Sequence, residues 1–300
     1  MRIGMFGGDT ASRTIDDVVA DARQAEADGF ASYWLPQIFG MDAISVLAIV
    51  GREVPRIDLG TAVVPTYPRH PMMLAQQALT TQAASGGRFI LGIGLSHQIV
   101  IEGMFGMSFE KPARHMREYL SILVPLLNGT DAAFDGKTLS AHGSVNVADA
   151  PPCPVLLAAL APRMLELAGA VADGTITWMT GPATLAEHTI PSINKAASAA
   201  GRPTPRVCAS LPVCVTDDAP AARAHAADEF AVYGMLPSYR AMLDREGAAG
   251  PADVAIVGDA ATVTAAVTQL GDIGVTDFAP ALFGSRSDRL ATREVLTALL

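Results

Sequence analysis

The chain has little of what several ligand classes require. Its 300 residues hold 21 Lys and Arg against 30 Asp and Glu, a formal net charge of -9, and the cations never gather into a run. Neutralising a phosphate backbone needs clustered cations, so nucleic acid is not an expected partner. There are only three cysteines, Cys153, Cys208 and Cys214, without metal-ligand spacing. They read as small core hydrophobes, and an odd count with no secretory leader points to a reducing cytoplasm. No unbroken apolar run approaches the ~20 residues of a membrane-spanning helix, so a soluble protein without a membrane partner is expected. Gly92-Ile93-Gly94 is followed by Leu95-Ser96-His97, without the third glycine of a dinucleotide-binding turn.

What is present is alternation. Strand-like runs at Ile3–Phe6, Ala31–Leu35, Ile57–Val64 and Phe89–Gly94 are followed by helical patterns at Ile15–Asp28, Ala43–Gly51, Pro71–Ser85 and Pro112–Leu127. The segment 132–154 breaks the rhythm and reads as a surface hairpin inserted into a single domain covering 1–300, with Phe134-Asp135-Gly136-Lys137 as its turn. Alternation resumes with Val155–Ala159, Pro162–Val171, Gly174–Trp178, Pro182–Ala200 and Val207–Val215. A helical stretch from Asp218 to Glu246 is broken by Pro237, and Ala260–Gly271, Thr276–Leu282 and a terminal helix from Ser287 close the chain. Eight β/α units give the α/β class and a (β/α)8 TIM barrel, with a doubly wound sheet as the alternative.

In a barrel the chemistry sits where strands end. Residues in those places are Gly7-Gly8-Asp9, Pro36-Gln37, Pro65-Thr66-Tyr67, Ser96-His97-Gln98, Leu160-Ala161-Pro162, Met179-Thr180-Gly181, Thr216-Asp217-Asp218 and Phe283-Gly284-Ser285. This rim has neither a converging metal-ligand set nor a facing pair of carboxylates, so no metal site is expected. A mouth of small and apolar residues suits a flat organic cofactor that brings its own reactivity. His97 is a candidate proton donor or cofactor contact, and equally a solvated loop histidine. Gln37 is a candidate hydrogen-bond donor but no strong base. His70 reads as a turn residue that fixes helix entry. Asp217 and Asp218 read as helix caps. Thr61, inside an apolar strand, either satisfies a backbone group or reaches a cofactor. Ala158-Ala159-Leu160-Ala161-Pro162-Arg163 combines small side chains with a helix start, which offers N–H groups to an anion, and Arg163 adds a charge.

Several segments carry a family resemblance: Gly60–Pro71 (GTAVVPTYPRHP), Ser85–Gly94 (SGGRFILGIG), Pro154–Gly174 and Gly274–Phe278. In order and spacing they resemble the luciferase-like flavin and deazaflavin oxidoreductases, and more nearly the branch that uses the deazaflavin coenzyme F420. The resemblance implies a TIM barrel with insertions, usually a homodimer, with the tricyclic ring in the barrel mouth. It implies a cis peptide bond at Ala62-Val63 under the ring and ring contacts from Gly94, His97 and Gln98. It also implies phosphate-holding loops at Ala158–Pro162 and at Trp178, Thr180 and Gly181. Where the family often has an acidic residue and a histidine after the second strand, this chain has Gln37-Ile38-Phe39, which leaves the acid/base assignment open and argues against a luciferase-type oxygenase. The implied activity is hydride transfer between coenzyme F420 and a small organic substrate; the loops Gln98–Pro112 and Phe230–Glu246, rich in methionine and aromatic residues, either favour an apolar substrate or pack the core. FMN-dependent monooxygenation and a flavin-binding protein without turnover are the alternatives.

Overall fold

A computed structural model describes residues 1–300. Eight parallel strands form its centre: β1 (Arg2–Ile3, continued by Met5–Phe6), β2 (Ser32–Leu35), β3 (Asp58–Thr61, continued by Val64–Pro65), β4 (Phe89–Gly94), β5 (Val155–Ala158), β6 (Gly174–Trp178), β7 (Arg206–Ser210) and β8 (Asp277–Phe278). The first half of β1 pairs with β8 and its second half with β2, so the sheet closes on itself. The expected (β/α)8 barrel is therefore the fold. No helix is long and apolar enough to cross a membrane.

Local chemistry sets the helix boundaries. In the helix Ile15–Asp28, Thr14 and Asp17 form a reciprocal capping box, and Val18, Val19, Ala22 and Ala25 make the buried stripe. It ends at Gly29, whose φ of 94° is open to glycine at little cost. The expected helix over 182–200 is instead Pro182–Thr184, a π-turn at Leu185–Thr189 and an α-helix at Ile190–Ala199. Pro191 supplies the reason, since it removes an N–H and crowds the preceding turn, and the wider π-turn accommodates both.

Side chains from nearly every strand fill the barrel interior. Trp34, Ile90, Leu156, Ile176, Cys208 and Ala279 form one buried cluster, with Phe6, Ala62, Val63 and Ala158 packed against it. Trp34 is fully buried, and a Cβ at Gly60 would stand 2.2 Å from its ring, so the indole fits only beside a glycine. The larger core of 66 residues lies between barrel and helices.

The strand assignments change in three places. The run Val207–Val215 is not one strand: Pro212 has no N–H for the barrel ladder, and Pro212–Val215 leaves to pair with Ile256–Gly258 and Ala281–Leu282 in a second parallel sheet. Ile256–Gly258, only three residues long, is too short for a periodic signal and was not expected. Thr276–Leu282 is likewise split into Asp277–Phe278 and Ala281–Leu282.

The insertion at 132–154 contains the expected hairpin, Ala132–Asp135 antiparallel to Ser140–Gly143, but Phe134 and Asp135 pair with Ala141 and Ser140, so the turn falls at 136–139 instead of Phe134–Lys137. Its turn is held by the buried carboxylate of Glu118, which accepts from the N–H groups of Lys137, Thr138 and Leu139 and from the Thr138 hydroxyl. Burial by itself would raise the Glu118 carboxyl, but these hydrogen bonds to the ionised form prevail and hold it at about 2, below its ordinary 4.5. Because the folded value lies below the unfolded one, this stabilisation is present above about 4.5 and is lost as pH falls toward 2. Glu118→Gln should cost about 1–3 kcal/mol in denaturant unfolding at neutral pH and narrow the gap to wild type below pH ~3. An acid-unfolding curve identical to that of wild type would refute the assignment.

Candidate functional site

The barrel mouth opens into one large cavity of about 1190 Å³. That is larger than the roughly 300–1,000 Å³ occupied by one drug-sized ligand, so it has room for a cofactor and a second molecule. Its floor is set by a register change in β3. Gly60 stands opposite Ile90, whereas Val64 stands opposite Ile93, so β3 spends one more residue than β4 over the same span. The extra residue lies at Thr61-Ala62-Val63, and the Ala62–Val63 peptide bond is cis, as the resemblance implies. Both Ala62 and Val63 line the cavity.

The opposite strand makes room for this bulge. Gly92 could carry no Cβ, because that atom would sit 1.9 Å from the Thr61 carbonyl oxygen. The Thr61 hydroxyl donates to the Gly92 carbonyl (2.8 Å) and accepts from its N–H (2.9 Å). Thr61 is thus fully consumed by the backbone and lies outside the cavity lining, which corrects the cofactor-contact reading. Gly94, two residues on, lines the cavity where a Cβ would meet Val63 at 2.8 Å and Ala158 at 3.1 Å.

One wall is small and one is aromatic. Ala158, Ala159, Leu160 and Ala161 lead from β5 into the helix Pro162–Ala170, whose N-cap Ala161 has no side-chain cap. Pro162 has no N–H and that of Met164 turns back to the Ala161 carbonyl at 2.9 Å, so the N–H groups left open to an anion are those of Ala161 and Arg163. Thr177 stands beside Ala159 by continuation of the β5–β6 register, lines the cavity, and has a buried hydroxyl without a hydrogen-bond partner. Sequence reasoning passed over Thr177. Its signal is the period-2 pair Thr175 and Thr177 in an otherwise apolar strand.

On the aromatic wall Trp178 stacks on Phe6 at 5.6 Å between ring centroids and meets Tyr233 and Phe230 edge-on at 5.7 and 6.0 Å. Tyr233 meets Tyr239, and Tyr239 tilts onto His97 at 5.6 Å. The loops Gln98–Pro112 and Phe230–Glu246 reach the site through Val100, Phe105, Phe230, Tyr233 and Tyr239, whereas Met104, Met107, Phe109 and Met235 stay off its lining.

Ten of the sixteen sequence candidates meet at this cavity: Gln37, Ala62, Val63, Gly94, His97, Ala158, Ala159, Leu160, Ala161 and Trp178. The Gln37 side-chain oxygen Oε1 accepts from the Ala43 N–H at 2.8 Å, which ties it to the next helix. His70 lines the cavity and caps its helix through the Met72 N–H, in keeping with a turn role. Gln98 is a correction: its amide bonds the Glu102 carboxylate at 2.9 Å on the exposed side of a short helix, away from the cavity. Pro162 and Arg163 are exposed and do not line it. Thr180 and Gly181 are buried and off the lining, and the helix start beyond them is already filled. There the Glu246 carboxylate takes the N–H groups of Ala183 and Thr184 at 3.0 and 2.7 Å. The expected second phosphate loop is thus closed by the protein's own anion. His, Cys, Asp and Glu do not come together in threes anywhere as a metal-binding group would require.

The arrangement defines a class before it defines a relative: a barrel whose mouth pairs a bulged floor and an open helix start with an aromatic wall, suited to a flat anionic cofactor. The luciferase-like monooxygenase model matches residues 2–277, and the chain belongs to that family. It is 31% identical over 241 residues to a 5,10-methylenetetrahydromethanopterin reductase of Methanolobus tindarius, covering 80% of this chain and 73% of that one. It is 29% identical over 253 residues to a Mycobacterium tuberculosis protein provisionally named a coenzyme F420-dependent oxidoreductase, covering 78% and 71%. Among solved structures, the F420-dependent tetrahydromethanopterin reductase of Methanopyrus kandleri superposes with a TM-score of 0.80 at 22% identity, covering 99% of this chain and 98% of that one. An F420-dependent secondary alcohol dehydrogenase superposes with a TM-score of 0.81 at 18% identity, covering 100% and 99%. At these identities the superpositions establish the fold.

Burial holds the His97 imidazolium below its ordinary 6.5, so this side chain is neutral at pH 7. An NMR titration of the His97 ring should give a midpoint under 6.5. A midpoint at or above that value would mean that the imidazole is hydrated or paired with a carboxylate.

Proposed function

We propose that the protein is a coenzyme F420-dependent oxidoreductase that moves a hydride between the deazaflavin and a small, mainly apolar organic substrate. The observation that carries this reading is the single cavity that joins the Ala62-Val63 floor to the uncapped helix start at Ala161, beside the orphaned hydroxyl of Thr177. A flat ring bearing a phosphate tail matches both ends. The relatives named for F420 chemistry support the choice of cofactor.

When bound, the deazaflavin supplies a carbon centre that gives or takes a hydride. The protein's own part is to hold and to exclude. Ala62 and Val63 would support the ring, Gly94 and Ala158 would leave space for it, and the helix start at Ala161 with Thr177 would receive the phosphate. The apolar lining keeps water from the reacting atoms and holds the two partners in contact. His97, neutral at the mouth, carries a proton on one ring nitrogen and a lone pair on the other, and relays the proton that accompanies reduction of the substrate. Gln37 orients a polar group by hydrogen bond and is no base.

The lead test is Ala161→Asp. Ala161 is an exposed N-cap in extended conformation, so an aspartate there caps the helix and stabilises the fold by about 0.5–1 kcal/mol. The same carboxylate takes the N–H groups a phosphate would use and repels it, so F420 affinity should drop at least tenfold while thermal stability rises. Unchanged F420 binding in the stabilised variant would remove the phosphate assignment.

FMN-dependent monooxygenation is the second reading, favoured by the description of the family model. Parallel titrations separate the two. Tighter binding of F420 than of FMN, with oxidation of reduced F420 by an activated carbonyl, imine or alkene under anaerobic conditions, is the expected result. Tight FMN binding with oxygen-dependent product would overturn it. A cytoplasmic homodimer completes the proposal on family resemblance, and sedimentation at micromolar concentration checks the stoichiometry.

A further inference from the structure

The aromatic wall holds a hydrogen-bond donor that has nothing to bond. The chain has two tryptophans, and their indole N–H groups differ. Trp34 inside the barrel donates to the Ser32 hydroxyl at 2.8 Å. Trp178 lines the cavity, and its Nε1 is buried without a partner. The Tyr233 hydroxyl lies near enough for this N–H to favour its ionised form, but the two make no hydrogen bond. An unpaired buried donor is destabilising, and a ligand acceptor in the cavity would relieve that cost.

The surroundings specify that acceptor. Phe6, Phe230 and Tyr233 enclose the indole, so the ligand body against it is apolar. Asp9 and Glu229 are the carboxylates on the lining, and Asp9 lies close enough to Tyr233 to oppose its ionisation. Arg69 is the one Arg or Lys on the lining, and its guanidinium is bonded to Asp42 and Gln77. A carboxylate or phosphate at Trp178 would meet like charge without a free cation. A cationic group would meet the positive end of the N–H.

We infer that Trp178 is a specificity-determining residue whose indole N–H receives the oxygen of a neutral carbonyl group on an otherwise apolar substrate. This rests on the reading of the cavity as a site for cofactor plus substrate, and it narrows the substrate class from electrophilic organic molecules to ketones, aldehydes, enones and their like. The donor is fixed by aromatic packing on three sides, so it is in place before the ligand arrives. It strengthens as negative charge gathers on the carbonyl oxygen.

The test needs no cofactor. In full-length protein labelled with 15N-tryptophan, two indole cross-peaks are expected, and Trp178→Phe assigns them by removing one. Cyclohexanone should move the Trp178 peak downfield in a saturable titration and leave Trp34 in place. Methylenecyclohexane, of the same shape but without the oxygen acceptor, should cause no downfield shift. Trp178→Phe should weaken cyclohexanone at least tenfold and leave methylenecyclohexane unchanged. An unmoved Trp178 peak, equal shifts from both ligands, or a saturable shift with tetramethylammonium but not with cyclohexanone would each overturn the inference. F420 titration of the same sample keeps the two readings apart. Loss of F420 binding with the indole shift intact sinks the cofactor proposal alone, and the reverse sinks the donor.

Discussion

The site depends on a single exchange of hydrogen bonds, the reciprocal pair between the Thr61 hydroxyl and the Gly92 backbone. A parallel strand cannot leave its ladder inside a closed barrel without orphaning buried N–H and C=O groups. At Thr61 the extra residue of β3 breaks the ladder, and the threonine hydroxyl serves as both donor and acceptor for the residue left over. Gly92 is the other half of the arrangement, since any side chain there would collide with the Thr61 carbonyl. With both in place, Ala62 and Val63 become the cavity floor instead of another layer of the barrel core.

Above that floor, two helix starts meet different fates. The helix at Pro162 has no cap and opens on the cavity, whereas the one at Pro182 is capped by Glu246 from a distant helix. That carboxylate also fastens the helix Pro237–Glu246, which brings Tyr239 to the mouth against His97. Of the two helix starts, only the one at Pro162 is thereby left open at the mouth. The aromatic wall faces it, fixed by Trp178 packed among Phe6, Phe230 and Tyr233.

Backbone conformation marks the same border. Ser96 and Met179 are two of four non-glycine residues with positive φ, at 62° and 53°, and each follows the end of a barrel strand at the mouth. Such conformations gather where side chains must be re-aimed toward a site. Ser96 itself lines the cavity, and Met179 lies buried directly after Trp178.

The amino-acid sequence by itself determined the β/α alternation, the barrel, the hairpin, the bulge position and the small-residue helix start at Ala158–Ala161. Each is a local property, carried by periodicity, by Gly and Pro placement, or by a contiguous motif. Only the tertiary structure decided which candidates face the cavity. The hydroxyl of Thr61 was as free to reach a ligand as a backbone until Gly92 stood opposite. Gln98 was a strand-end residue until a helical turn brought Glu102 to it. The loop at Thr180–Gly181 was an anion site until Glu246, some sixty residues later in the chain, filled it. Conversely, that the Thr177 hydroxyl and the Trp178 N–H are left unpaired is not written in the sequence, because a polar atom is unpaired only relative to everything packed around it.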